Sequence, residues 1–572
     1  MTDPLTASAP YPWLTHYAEG VDWTAALTGR PVWTLVEEAA DRFGDRPSID
    51  FLGSRTTYTE LKQKIDRVAA GLQAMGLKKG DRFGLFLPNC PYFVILYFAV
   101  LKAGGTVVNF NPLYADAQIR HQIEDSGVRF MATLDLAALY KKLAPLTGKV
   151  GGLEKLVICS FTEALPLPKS LLFGLFKKKL LAQVEMDDRN IGFSELLQHD
   201  ATLAPVAVDP DHDVAVLQYT GGTTGVPKGA MLSHSNITIN AQQCRLWFTE
   251  ATPGQEKMLG VIPLFHVFAM TAVMNLGIAL GAELILLPRF DIKDLIKTIV
   301  AKKPTFFPAV ATIYTAINHY SGIDKVDLRS IRFCVSGGAP LPVEVKTQFE
   351  ALTGCTLVEG YGLTESSPVT NVNPCKGENR TGSIGLPVPG TIVEIVSLDD
   401  GTTVLPPGER GEVCIRGPQV MLGYWNMPAE TSKVLVAGRL HTGDVGIMDP
   451  DGYVRIVDRI KDMIIAGGYN IYPRNVEEQI YLHPAVAECV VAGILDEYRG
   501  QTVKAWIKVK EGMTLSESEL KAFLKDKLSP IESPKQVEFR DSLPKTLIGK
   551  LDRKALVQEN AAKLVAAMAA EG

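Results

Sequence analysis

Eleven residues in the run YTGGTTGVPKG, Tyr219 to Gly229, hold four glycines, three threonines and one lysine. That composition suits phosphate. Glycine lets the backbone close on an anion and take positive φ, threonine hydroxyls add uncharged donors, and Lys228 brings the compensating cation. The run is not the phosphate loop of kinases and GTPases, in which glycine precedes the lysine and Ser or Thr follows it. Here Pro227 precedes Lys228 and Gly229 follows. Alone, such a run reads equally as a surface turn, and the segments downstream decide between the two.

PLFH (Pro263 to His266) ends a strand-like run, SGGAP (Ser336 to Pro340) follows IRFCV, and EGYGLTE (Glu359 to Glu365) follows TLV. Each is expected just beyond the carboxyl end of a strand. In an open α/β sheet ligands bind there, so the three loops and the phosphate loop are expected around one crevice. LHTGD (Leu440 to Asp444), VDRIKDMIIAGGYNIYP (Val457 to Pro473) and LPKTLIGKLDRKAL (Leu543 to Leu556) follow in that order.

The elements that must position these residues alternate. RFGLFLPN, CPYFVILYFAVLKAG, TVVNFNP and the polar stretch from Ala115 to Ser126 read as strand, helix, strand, helix. This is α/β architecture with parallel sheets, punctuated by glycine after helices at Gly104, Gly127 and Gly281. The apolar stretch Val267 to Leu287 is broken by Asn275, Gly277, Gly281 and Glu283, so a buried helix and a core strand are expected there rather than a membrane span. No repeat suggests a solenoid. Residues 463–572 read as a separate small domain, with strands AVAECVVAGILD and TVKAWIKVK, helix SESELKAFLKDKL and a closing helix after Lys550. One segment stands apart: LPKSLLFGLFKKKLLAQV, Leu167 to Val184, mixes leucine and phenylalanine with Lys169, Lys177, Lys178 and Lys179. That is the composition of a helix lying on an anionic membrane surface, or of a solvated surface helix with one packed face.

Composition excludes other classes. The 572 residues are 46% apolar and 21% charged, and a net charge of −5 gives no basic surplus for nucleic acid. Eight cysteines without a CxxC pair read as reduced thiols of a cytoplasmic protein. The start, MTDPLTASAPYPWL, shows no signal peptide.

Taken together, in this order and spacing, the motifs resemble the adenylate-forming superfamily of acyl-CoA synthetases, luciferases and peptide-synthetase adenylation domains. Within it the chain is most similar to bacterial long-chain fatty-acid CoA ligases. The resemblance implies an α/β fold: a large adenylation domain with an acyl pocket over residues 1–457, with parallel-rich sheets and a β-barrel-like part, a hinge over 458–462, and a small mobile α+β domain over 463–572. It implies two steps, in which a carboxylate attacks ATP to give acyl-AMP and pyrophosphate and coenzyme A then displaces AMP.

By the same resemblance, Lys550 bridges carboxylate and α-phosphate oxygens, Thr364 donates to the α-phosphate, and His266 stands at the acyl-pocket mouth. Thr220, Gly221, Gly222, Thr223, Thr224, Gly225 and Lys228 hold the phosphates, with Thr220 and Glu365 as magnesium ligands. Gly337, Gly338 and Ala339 line the site, and Glu359, Gly360, Tyr361 and Gly362 form the adenine wall. Asp444 and Arg459 hold the ribose, Lys461 is the hinge, and Gly467 and Gly468 admit the pantetheine arm of coenzyme A. The residue types suit two anions that must meet, since concentrated positive charge and oriented donors are what such a transition state needs. The chain departs from the family at LSPIESPK, where Ile531 and Glu532 replace an aromatic–lysine pair. Implied substrates are a fatty acid, ATP and coenzyme A; a homodimer and a peripheral membrane contact through Leu167 to Val184 complete the reading. Two alternatives stand beside it: a ligase for another acid, or one acylating a carrier protein, and a silent acyl- or nucleotide-binding homologue.

Overall fold

The computed structural model describes residues 11–220, 227–466, 469–496, 499–546 and 550–571. The chain divides into two compact units, Met1–Ile392 with Ile415–Leu440, and Val393–Cys414 with His441–Gly572.

The first unit is built on two parallel-rich sheets. Among the described residues one has nine strands, in the order Leu386–Pro387, Val369–Val372, Thr356–Gly362, Phe333–Gly337, Phe306–Ala309, Lys257–Gly260, Glu283–Leu286, Pro47–Phe51 and Ser54–Thr57. From Thr356–Gly362 through to Pro47–Phe51 the neighbours run parallel, so their carboxyl ends share one edge. The inner strands ELIL, FFPA and FCVSG are buried at every position, as strands covered on both faces must be. Connecting helices start and stop where the residues dictate. Asp291 accepts from the backbone of Lys293 and Asp294 to cap Ile292–Lys302, and Gly354 ends Val343–Thr353 in the left-handed conformation.

The second sheet runs Gly423–Tyr424, Gly229–Ser233, Val214–Tyr219, Thr106–Asn109, Arg82–Phe86, Phe130–Leu134, Lys155–Cys159 and Asn190–Gly192. Its last six strands are parallel and its first two pairings antiparallel. Helix Pro91–Lys102, apolar all round, is buried from Tyr92 to Leu101, as such a helix requires. Gly104, Gly127 and Gly281 all take positive φ after helices. At Gly281 nothing larger fits, because a Cβ there would lie 2.2 Å from the Phe43 ring. The stretch from Val267 forms a buried helix whose middle, Met270–Asn275, winds as a π-helix, followed by the strand Glu283–Leu286. Among the described residues no helix is long and apolar enough to cross a membrane.

The second unit contains the strands Val454–Arg459, Ile464–Ala466, Val486–Asp496, Gly500–Val509 and Gln536–Phe539 and the helices Pro473–Tyr481, Glu517–Leu524 and Arg553–Glu571. Val476, Ile480, Val491, Val503, Ile507 and Leu520 are part of its core. Ser516 and Glu519 form a reciprocal capping box that opens Glu517–Leu524, which explains why SESEL reads as a helix start.

Candidate active-site residues of the two units

In the first unit two described strands flank the candidate phosphate run. Val214–Tyr219 and Gly229–Ser233 pair antiparallel with Tyr219 opposite Gly229, and the Thr220 amide donates to the Lys228 carbonyl at 2.9 Å. Gly221, Gly222, Thr223, Thr224 and Gly225 lie outside the described residues. Lys228 pairs with Glu430 at 2.5 Å and stands 5.0 Å over the Tyr424 ring. Tyr424 donates its hydroxyl to Glu365 Oε1 at 2.6 Å. Hydrogen bonds from Lys228 and Lys433 pull the Glu430 carboxyl down to about 2, and burial with the Glu365 charge beside it pushes the Tyr424 phenol up. Glu365 sits on the turn Thr364–Ser366, and its carbonyl accepts from the Met421 amide at 2.8 Å. Tyr424 therefore links the loop lysine to the candidate metal ligand.

The loop holding His266 is pinned from below. Asn89 donates to the Gly260 and Ile262 carbonyls and accepts from the Leu264 amide, while Gln218 donates to the Phe265 carbonyl at 2.9 Å. His266 Nδ1 accepts from the Phe268 amide at 3.3 Å and so caps the following helix. Phe268 then reaches SGGAP: a Cβ on Gly337 would lie 3.0 Å from its ring, and Gly338 has φ +79°. Glu359, Gly360, Tyr361 and Gly362 differ from the sequence expectation. They lie inside the strand Thr356–Gly362, with Gly360 opposite Gly337 on one side and Tyr361 opposite Asn371 on the other. The reason is that the chain turns back at once into Val369–Val372, whose pairing extends the strand. Gly362 permits this turn, since a Cβ there would lie 2.0 Å from the Pro368 carbonyl oxygen. The parallel strands thus carry the His266 loop, Gly337 to Ala339 and Thr364 to one edge of the sheet.

In the second unit Asp444 and Arg459 stand directly opposite each other on antiparallel strands, and Arg459 Nε donates to Asp444 Oδ1 at 3.1 Å. Lys550 immediately precedes Leu551, which pairs antiparallel with Lys545, and the Lys550 amide donates to Thr546 Oγ1 at 3.1 Å. Burial lowers the Lys550 ammonium to about 8, with repulsion from Arg459 adding to the shift and attraction from Asp444 opposing it. Three of the predicted residues are therefore within electrostatic reach of one another. The Asp444 turn is held by Glu412, whose two oxygens take His441 Nδ1 and the Gly443 amide, each at 2.8 Å. Lys461 lies in the turn Ile460–Asp462. The next residue, Asp462, receives Arg553 at 2.9 Å, and the same guanidinium reaches Glu477 at 2.9 Å. Asp458, beside them, is pushed up to about 6 by burial, against the pull of Arg553. Gly467 and Gly468 lie outside the described residues. At the departure, Glu532 accepts from Ser529 and Ile531 packs on the core, so both have local partners.

Tyr424, Glu430, Glu412 and Arg553 are not evident from the motifs, because their partners lie far off in sequence; the aromatic GYW after a glycine is the one local cue at Tyr424. A hard divalent cation takes oxygen ligands, and the Thr220 hydroxyl with the oriented Glu365 carboxylate fits that donor class. In the second unit the neighbouring cations Arg459 and Lys550 suit reactions at a phosphorus bearing several negative oxygens.

Comparison with known proteins agrees. Residues 36–425 match the model of AMP-binding enzymes and residues 475–550 that of the AMP-binding enzyme C-terminal domain. The long-chain-fatty-acid–CoA ligase of Bacillus subtilis is 46% identical over 552 residues, 96% of this chain and 98% of that one. Its Salmonella typhimurium counterpart is 38% identical over 539 residues, 93% of this chain and 94% of that one. Among solved structures, ATP-bound MatB from Rhodopseudomonas palustris has a TM-score of 0.80 at 27% identity, covering 92% of this chain and 98% of that one. The anthranilate CoA ligase AuaEII with anthranoyl-AMP has a TM-score of 0.83 at 25% identity, covering 96% and 100%. By the extent of these matches the chain belongs to the AMP-binding enzyme family.

Proposed function

We propose that the chain is an ATP-dependent, AMP-forming long-chain fatty-acid–CoA ligase. A fatty-acid carboxylate oxygen attacks the α-phosphorus of ATP and pyrophosphate leaves. The sulfur of coenzyme A then attacks the acyl carbon and AMP leaves. The observation that carries the reading is the cluster of Lys550, Arg459 and Asp444: a half-buried ammonium lowered to about 8 regains full charge when an anion approaches. In this reading Lys550 bridges carboxylate and α-phosphate oxygens and Thr364 donates to the same phosphate. His266 faces the acyl end, Asp444 and Arg459 hold the ribose, and Tyr361 with Glu359, Gly360 and Gly362 walls the adenine. Lys228 and the Thr220–Gly225 loop hold the outer phosphates, and Gly337, Gly338 and Ala339 line the site. Thr220 and Glu365 would hold magnesium, which when bound neutralises phosphate oxygens. Lys461 is the hinge between 1–457 and 463–572, Lys550 serves the first half-reaction, and Gly467 and Gly468 serve the second.

Identity favours a long-chain acid over an aryl acid, since the fatty-acid ligase relative is 46% identical and the anthranilate ligase 25%. The reading includes a cytoplasmic location, a homodimer and peripheral membrane contact. Pyrophosphate release with fatty acids of graded length, with and without coenzyme A, tests it. Release with long-chain acids and acyl-CoA formation only with the thiol are expected; release with aryl acids alone overturns it.

A further inference from the structure

Helix Leu167–Phe176 has no buried residue, although it is one of the most apolar segments of the chain. Leu167, Leu171, Leu172, Leu175 and Phe176 are exposed by 79, 66, 54, 75 and 79%. At 3.6 residues per turn these positions fill one half of the helix circumference, while Ser170, Phe173 and Gly174 fill the other. The inner half is fixed. Phe173 packs on Phe161 with ring centroids 4.9 Å apart, Phe161 meets Phe51 at 6.3 Å, and Lys169 donates to the Leu52 carbonyl at 2.6 Å. Downstream the chain is tied again, by a bridge between Leu136 and Leu181 and by the Ala182 amide on the Asp135 carbonyl at 2.7 Å. The exposed leucines are thus not the outside of a loose loop; they are presented by a helix anchored at both ends.

We propose that this helix seats the enzyme on an anionic bilayer, with the five exposed apolar side chains entering the acyl boundary and Lys177, Lys178 and Lys179 meeting the headgroups. Charge selects the occupant. The three lysines are all exposed and directly follow the apolar face, which is the arrangement of a helix lying in the interface plane. The helix itself carries no acidic side chain that a second copy docked on the same face could bring to the lysines, whereas an anionic bilayer supplies headgroup charge. Ten residues reach only about 15 Å, half of a hydrocarbon core of about 30 Å, so the helix lies on the membrane and does not cross it. Resting on the ligase reading above, the seat lets the enzyme draw a long-chain acid from the leaflet in which that acid dissolves.

The test uses the full chain and vesicles of phosphatidylcholine, alone or with an equal part of phosphatidylglycerol. The wild type should sediment with the mixed vesicles and not with the neutral ones. Each lysine near such a surface contributes roughly fivefold in affinity, so reversing all three to glutamate should lower binding by about a hundredfold or more. Leu171→Asn with Leu175→Asn should also abolish it, and circular dichroism should match the wild type. Both variants should keep wild-type turnover of octanoate in solution and lose turnover of palmitate held in mixed vesicles. Absence of wild-type binding, equal binding to neutral vesicles, or an oligomer that the leucine variant dissociates would each overturn the proposal. If vesicle binding follows the variants but no acid releases pyrophosphate, the membrane seat stands and the ligase reading fails.

Discussion

Lys228 and Lys550 each directly precede a residue paired in an antiparallel bridge, Gly229 and Leu551, and the structure treats them oppositely. Lys228 stands in a ready-made ion pair with Glu430 at 2.5 Å and over an aromatic face. Lys550 is half-buried beside another cation, Arg459, with its ammonium lowered to about 8. A paired lysine is a fixed charge that a phosphate must win from its partner. A lysine with a lowered pKa is a charge waiting for its anion, and so its contribution is largest where two anions have to be brought together. In the proposed adenylation step that place is the α-phosphate, where the carboxylate attacks, whereas the outer phosphates depart from it as pyrophosphate.

The strongest way to break this contrast is Lys550→Ala. Adenylation from ATP and fatty acid should fall by on the order of 10²–10³, as for loss of one preorganised transition-state donor, while thioester formation from preformed acyl-AMP stays within a few fold. Equal losses in both half-reactions would remove the distinction between the two lysines.

The second test is pH. Because the Lys550 pKa is lowered from 10.5 to about 8, the ammonium loses its proton as pH rises through about 8, earlier than an ordinary lysine. The kcat/KM for adenylation should therefore fall about tenfold per unit above that pH. Lys550→Arg, whose guanidinium stays charged, should keep a flat profile there even if its rate is lower. A profile that declines alike in both enzymes assigns the titration to another group.

Smaller effects are expected at the fixed cation. Tyr424→Phe removes one hydrogen bond from Glu365, worth about 1 kcal/mol, and should raise the magnesium concentration for half-maximal adenylation by roughly fivefold. Glu430→Gln releases Lys228 and should change KM for ATP by only about two- to threefold, in the direction of tighter binding, since an exposed pair of this kind is weak. A larger change at Glu430 than at Tyr424 would mean that Lys228 too is poised rather than fixed.

The motifs carried much of this in the sequence. The residue types of YTGGTTGVPKG announce phosphate, and Asp444 with Arg459 can be recognised by resemblance before their pairing is seen. What the sequence does not announce is the long-range partner. Glu430 meets Lys228 across 202 residues and Glu412 meets His441 across 29. A lone glutamate has no periodicity or turn chemistry to mark it. The Glu359 to Gly362 segment shows the same limit from another side, since its strand character comes from Val369–Val372 beyond the next turn and not from its own glycine-rich composition. The exposed face of Leu167–Phe176, by contrast, was visible as composition, and only its anchoring through Phe173 and Lys169 needed coordinates.

The pairing of Asp444 with Arg459 also bears on which changes of chain length this protein tolerates. The two side chains face each other across a ladder that is closed by the Asp449 to Tyr453 turn and shifts by one residue at a bulge between Val445 and Gly446. Side chains alternate along a strand, so with one residue deleted between Val454 and Asp458 Arg459 keeps its place opposite Asp444 only if that bulge is given up. Residues added at the turn itself would only lengthen a surface loop. Over evolutionary time, insertions and deletions in this hairpin should therefore collect at its tip and spare its arms, as if the ladder counted its own rungs.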